Sequence, residues 1–226
     1  MITTISATSI HEPAHYIAER IAEQLTQGRS VLWLISGGSC INVAAAGAKI
    51  LTEADVPLEN LTVSLVDERY GQPGHPDSNW TQLMASGFEA PGAWLYPVLP
   101  GSTRAAAAHS FEEFLDAQLK SSDYRLGLFG IGSDGHTSGI LPHSPAVMAQ
   151  GLVTHYDGAD YERISTTQAA IHTLDEAVLY AQGKTKWPQL ARLDEDLTVA
   201  EHPAQTLKLV PVLKIFSDRP LADSKS

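Results

Sequence analysis

Cysteine is all but missing from this chain: Cys40 is the only one in 226 residues. A lone thiol excludes an intrachain disulfide and a thiolate zinc cluster, and it fits a reducing compartment. Long apolar runs are missing as well. The longest span about five residues, as at Val31–Ile35, whereas a membrane-spanning helix needs about 20. Positive charge is scarce: Lys and Arg total 15 against 26 Asp and Glu, a formal net charge of −11. That balance speaks against nucleic acid or an anionic membrane as the main partner. Met1–Glu12 has neither a basic start nor an apolar stretch, so no secretory leader and a cytoplasmic location are expected. No G-x-S-x-G elbow of a serine hydrolase is present. His136 and His143 lack a third partner at ligand spacing, and the other histidines are scattered, so no metal site is expected.

What is present suits a folded enzyme-sized domain. Hydrophobic residues make up 43% and charged residues 18%, enough for a large core. Helical and strand patterns alternate. Ile17, Ile21 and Leu25 recur four apart within 13–27 and predict a helix ending at Gly28. Val31–Ile35 and Leu61–Val66 read as buried strands, with an Ala-rich helix over 42–51 between them. Residues 71–79 are dense in turn formers. Further strands are expected at 94–99, 124–131, 152–156, 163–166, 177–180 and 209–216, and helices at 103–120 and 184–193. The alternation predicts an α/β fold, a single domain over 1–226 built on a mainly parallel sheet flanked by helices. In such sheets ligands bind beyond the carboxyl ends of the strands.

Three loops follow predicted strands. Ser36-Gly37-Gly38-Ser39 joins a strand to a helix; adjacent glycines let the backbone approach a ligand, and the free amides of the helix start favour a phosphate. It is not a Walker loop, since no Gly-Lys-Ser/Thr follows. Asp67-Glu68-Arg69 ends a buried strand, with a carboxylate to meet substrate and an arginine to meet an anion. Gly130-Ile131-Gly132-Ser133-Asp134-Gly135 matches the dinucleotide pattern G-x-G-x-x-G, yet Gly139, Pro142 and Pro145 forbid the helix that pattern requires. The segment is therefore a loop carrying Asp134-Gly135-His136-Thr137. An imidazole titrates near neutrality, which makes His136 a candidate general base or acid and Asp134 its orienting partner.

These loops occur together in a recognisable order: SGGS, VDER, DSN at 77–79, GIGSDGHTSGILP at 130–142, RISTT at 163–167 and GK at 183–184. The sequence resembles the 6-phosphogluconolactonase family, within the superfamily that also holds glucosamine-6-phosphate deaminase, from about residue 10 to about 218. The resemblance implies a Rossmann-like fold of the lactonase type, and hydrolysis of 6-phospho-D-glucono-1,5-lactone in the oxidative pentose phosphate pathway. It implies no cofactor, a phosphorylated sugar lactone as the partner, and a monomer or small homo-oligomer. His136 becomes the base that activates water, with Asp134 and Asp67 orienting it or binding sugar hydroxyls. Ser36, Gly37, Gly38, Ser39, Arg163 and Lys184 become the phosphate site, with Arg69 a further member. Two other readings stand beside it. The deaminase branch resembles DGHIAFNEP and places a glutamate before the proline, where this chain has Leu141. A non-catalytic sugar-phosphate sensor would keep the phosphate contacts and could lose the base. An anionic substrate on a chain of net charge −11 requires a locally positive pocket.

Overall fold

The computed structural model describes residues 1–220; residues 221–226, the end of the predicted domain range, lie outside the described part. In chain order the elements are β1 (Ile2–Ser6), α1 (His11–Thr26), β2 (Val31–Ile35), α2 (Ser39–Glu53), β3 (Leu61–Leu65), β4 (Asp67–Arg69), α3 (Asn79–Ala85), β5 (Trp94–Leu95), α4 (Arg104–Ser121), β6 (Tyr124–Phe129), β7 (Val153–Asp157), β8 (Glu162–Thr166), α5 (Gln168–Ile171), β9 (Glu176–Ala181), α6 (Trp187–Arg192) and β10 (Val212–Ser217). A seven-stranded sheet runs in the order β1-β10-β9-β6-β2-β3-β5 with its paired strands parallel.

The residues explain the layers. All five side chains of β2 are buried, as are all six of β9, because helices cover both faces of a parallel sheet. On α1 the predicted stripe of Ile17, Ile21 and Leu25 is buried. Glu176 starts β9 at the amino edge of the sheet. It accepts hydrogen bonds from the Tyr124 hydroxyl at 2.5 Å, from Arg20 Nε at 3.1 Å and from the Tyr16 hydroxyl, tying α1 to that edge. The opposite, carboxyl edge is left for the loops.

The direction of winding reverses between the parallel neighbours β2 and β6. From β2 the chain steps to β3 and β5, whereas from β6 it steps to β9 and β10. The loops after β2 and β6 therefore diverge and open a crevice at the switch point, the usual ligand position in such sheets.

Several expectations need correction. The strand predicted at 61–66 forms over Leu61–Leu65, but the Asp67-Glu68-Arg69 segment that follows it is a separate strand. Val66 donates its amide to the Ile35 carbonyl, and Asp67–Arg69 then leaves the main sheet to pair antiparallel with β8. The strands predicted at 152–156 and 163–166 belong to this second, three-stranded sheet of order β4-β8-β7. β1 was not anticipated: an edge strand with exposed alternate residues carries little hydrophobic signal. The strand predicted at 94–99 shrinks to Trp94–Leu95, the helix at 184–193 to Trp187–Arg192, and 203–209 forms a 3-10 turn before β10.

Candidate active site

The carboxyl edge holds a cleft of about 280 Å³, lined by the loops after β2, β3, β6 and β9 and by the β7–β8 hairpin. Its first wall is the start of α2. Gly38, at φ +64°, is the residue before the helix and makes no side-chain cap, so the amides of the first turn are not spent on a local side chain. Gly37 is required for space. A Cβ there would sit 2.1 Å from Asn79 Oδ1. Ser36 Oγ and Asn79 Oδ1 are buried without a hydrogen-bond partner, and both residues line the cleft.

Asn79 is delivered by Glu68. This fully buried carboxylate accepts from the Ser78 hydroxyl at 2.9 Å and from the amides of Asn79, Trp80 and Arg69 at 2.6, 3.0 and 2.7 Å. It thereby caps α3 with a carboxylate, as helix N-termini favour, although burial pushes that carboxyl above the ordinary range against the pull of these hydrogen bonds. Asn79 Nδ2 then donates to the Asp67 carbonyl at 3.0 Å.

The opposite wall is the loop after β6. His136 Nδ1 lies 2.6 Å from Asp134 Oδ1, which also accepts the His136 amide at 3.1 Å. Although partial burial works the other way, these bonds and the imidazole charge hold the Asp134 carboxyl below the usual carboxylate range. An ionised Asp134 can only accept, so Nδ1 carries the hydrogen and, in the neutral form of the ring, the lone pair lies on Nε2. Gly132 is indispensable here: a Cβ would come within 2.1 Å of His136 Nδ1 and 2.6 Å of Asp134 Oδ1. The loop is braced from behind. Gln189 Nε2 donates to the Ser133 carbonyl at 2.7 Å, the Ala204 amide to the Gly135 carbonyl at 3.1 Å, and the fully buried His202 ring packs against Gly135. Burial, with Arg192 nearby, lowers the His202 pKa and keeps that ring neutral.

Asp67 lies at the back of the cleft and is nearly inaccessible. Burial pushes its carboxyl above the ordinary range against the pull of Arg163, His136 and Arg69. A raised folded-state pKa means stability that is present below the unfolded pKa and lost as pH rises through the folded value. Asp67→Asn is therefore expected to raise the melting temperature at pH 7–8, a gain that shrinks on acidification towards pH 4, while activity falls. Thermal scans at the two pH values check the sign; equal shifts at both would contradict it.

Arg69 and Arg163 face each other across the β4–β8 register. Their guanidinium carbons lie 4.9 and 5.7 Å from the Tyr161 ring centre, and each Nε is buried without a partner. Over residues 6–211 the sequence matches the family described as Glucosamine-6-phosphate isomerases/6-phosphogluconolactonase. The chain belongs to that family. Among its relatives, the 6-phosphogluconolactonase of Nostoc sp. is 30% identical over 188 residues, covering 74% of this chain and 72% of that one. That of Pseudomonas aeruginosa is 26% identical over 196 residues, covering 82% and 79%. A crystal structure of a 6-phosphogluconolactonase from Shewanella baltica OS155 superposes with a TM-score of 0.80 at 21% identity over 96% of this chain and 97% of that one. A monomeric glucosamine-6-phosphate deaminase superposes with a TM-score of 0.79 at 17% identity over 96% and 97%. At these identities the two superpositions speak for the fold alone.

In this member of the lactonase and isomerase family, the cleft is lined by eight of the ten residues expected from sequence; Asp134 reaches it only through His136, and Lys184 stays away. Ser36, Gly37, Gly38, Ser39, Asp67, Arg69, His136 and Arg163 line it directly. Lys184 is exposed and does not line it; Lys186, two residues on, does. The turn explains the exchange. Gly183, at φ +95°, donates its amide to Asp218, which also accepts from Trp187 Nε1 at 2.9 Å, and this clamp presents Lys186 to the cleft. Asn79 and Ser138, though inside the DSN and GIGSDGHTSGILP motifs, and Asp160 also line the cleft, and the sequence reading assigned none of them a role. For Asn79 a signal existed: it follows Ser78, whose hydroxyl accepts the Thr81 amide as a helix cap.

Proposed function

We propose that this chain hydrolyses 6-phospho-D-glucono-1,5-lactone to 6-phosphogluconate, a step of the oxidative pentose phosphate pathway. The observation that carries the reading is the His136–Asp134 dyad, 2.6 Å apart, opening onto the same cleft as the glycine-rich start of α2 and three cationic side chains, Arg69, Arg163 and Lys186. A lactone is an activated cyclic ester. It needs a positioned water, a base for its proton, and donors for the oxyanion.

His136 Nε2 takes the proton from the attacking water as its oxygen bonds to the lactone carbonyl carbon. Asp134 steadies the imidazolium that results, without taking its proton. The ring C–O bond then breaks, and His136 returns the proton to the departing ring oxygen. Ser36–Ser39, Arg69, Arg163 and Lys186 hold the phosphate, Lys186 taking the place expected of Lys184. Asp67 and Asn79 meet sugar hydroxyls, which gives the unpaired Asn79 Oδ1 a use.

Leu141 favours this chemistry over deamination. It packs against the core and offers no group to relay a proton. The paired test exposes the chain to freshly generated lactone and, separately, to glucosamine 6-phosphate. Acid release from the first without ammonia from the second is expected; ammonia release would replace the reading with deamination.

A further inference from the structure

Asp160 is a carboxylate placed inside a cleft built to receive an anion. It sits at the turn of the β7–β8 hairpin and lines the same cleft as Arg69, Arg163 and Lys186. Its two carboxylate oxygens accept from a single nitrogen, Arg163 Nη2, at 2.8 and 3.0 Å, and Oδ1 also accepts the Tyr161 amide at 3.0 Å. The two partners differ in access. The Arg163 side chain is 7% exposed and the Asp160 side chain 55%. The arginine is thus fixed in the wall, and the carboxylate covers it from the solvent side. Burial pulls the Asp160 carboxyl up, but the Arg163 bonds and charge hold it below the usual range, so it is ionised at neutral pH. The hairpin is close-fitted: a Cβ on Gly158 would meet Arg163 Nε at 3.1 Å and the Tyr161 carbonyl at 2.8 Å.

We propose that Asp160 is a built-in competitor for the anionic group of the ligand, occupying Arg163 when the cleft is free and yielding it when a phosphorylated sugar binds. The inference rests on the reading of the cleft as a phosphosugar site and adds how its affinity is set. One residue cannot satisfy two anions equally. A ligand phosphate that engages Arg163 must either displace Asp160 or share the guanidinium with it, and both lower affinity. Such a carboxylate keeps a cleft with three cations from holding a product that carries both a phosphate and a carboxylate too long.

The alternative role is positioning: Asp160 aims Arg163 at the ligand. The two roles predict opposite signs. Calorimetric titration of the full chain with inorganic phosphate and with 6-phosphogluconate, for wild type and Asp160→Asn, separates them. Competition predicts dissociation constants about 3–10-fold lower in the variant for both anions, as expected for removing one charge several ångströms away in a partly shielded site, and a KM for lactone that falls in step. Unchanged or weaker binding overturns the competition. Asp157→Asn is the control. Asp157 lies on the same hairpin, its side chain 79% exposed and paired with Arg104, and does not line the cleft. An equal tightening in Asp157→Asn would assign the effect to general charge and likewise overturn the role of Asp160. Tight binding of phosphate without lactone turnover in wild type would defeat the functional reading yet leave the Asp160 comparison decisive; wild type that binds neither anion would end both.

Discussion

Asp134→Asn is expected to lower kcat for the lactone by about 10²–10⁴-fold with the loop intact, by analogy with loss of the orienting carboxylate in a Ser-His-Asp triad. The cause is tautomeric. Asp134 accepts from both the ring and the amide of His136, and its ionised state fixes the hydrogen on Nδ1. An asparagine amide can turn its NH₂ towards Nδ1, which places the lone pair there and the hydrogen on Nε2, where a base is needed. The cleft cations and the α2 start are untouched, so KM should stay within about threefold, the signature of an interaction used in the transition state rather than in binding. His136→Ala should show a loss at least as large. Equal kcat in wild type and Asp134→Asn would remove the dyad from the mechanism.

The largest effect on stability is expected at Glu68. Its two oxygens serve four donors from the segment that turns β4 into α3. Glu68→Ala strands those buried donors and opens a hole, and should cost about 3–5 kcal/mol. For a chain of this size that is a fall of roughly 6–20 °C in melting temperature. Glu68→Gln tests the charge at constant shape: its NH₂ would face donors with nothing to give them, so it too should destabilise. The effect should reach the cleft, because the same cap holds Asn79 against Gly37. A Glu68→Gln variant that melts with wild type would mean that the buried carboxylate is not what anchors α3.

These two residues also mark what the sequence makes legible. The dyad was visible because Asp134-Gly135-His136 sits in a glycine- and proline-punctuated loop directly after a buried strand, where local pattern and position agree. The α2 start was visible for the same reason. Glu68 was not, since its partners lie 10 to 12 residues ahead and nothing local distinguishes a capping carboxylate from a strand-end ion pair. The small antiparallel sheet escaped because Asp67–Arg69 follows β3 after the single residue Val66, and the pairing of 67–69 with 163–165 is non-local. Lys184 carries the Gly-Lys motif at 183–184, and a one-dimensional reading cannot see the reversal at Gly183 that presents Lys186 instead. The charge paradox resolves at short range. The net −11 describes the whole chain, whereas three cations and a helix start face the cleft, with Asp160 partly offsetting them.

The central claim is that this cleft opens a phosphorylated sugar lactone with His136 as the base. The most direct measurement is acid release from freshly generated 6-phosphogluconolactone, followed from the first seconds and corrected for spontaneous opening. A rate proportional to wild-type protein, and absent with His136→Ala at equal concentration, is the predicted result. No acceleration by the wild type, or full acceleration by His136→Ala, would contradict it.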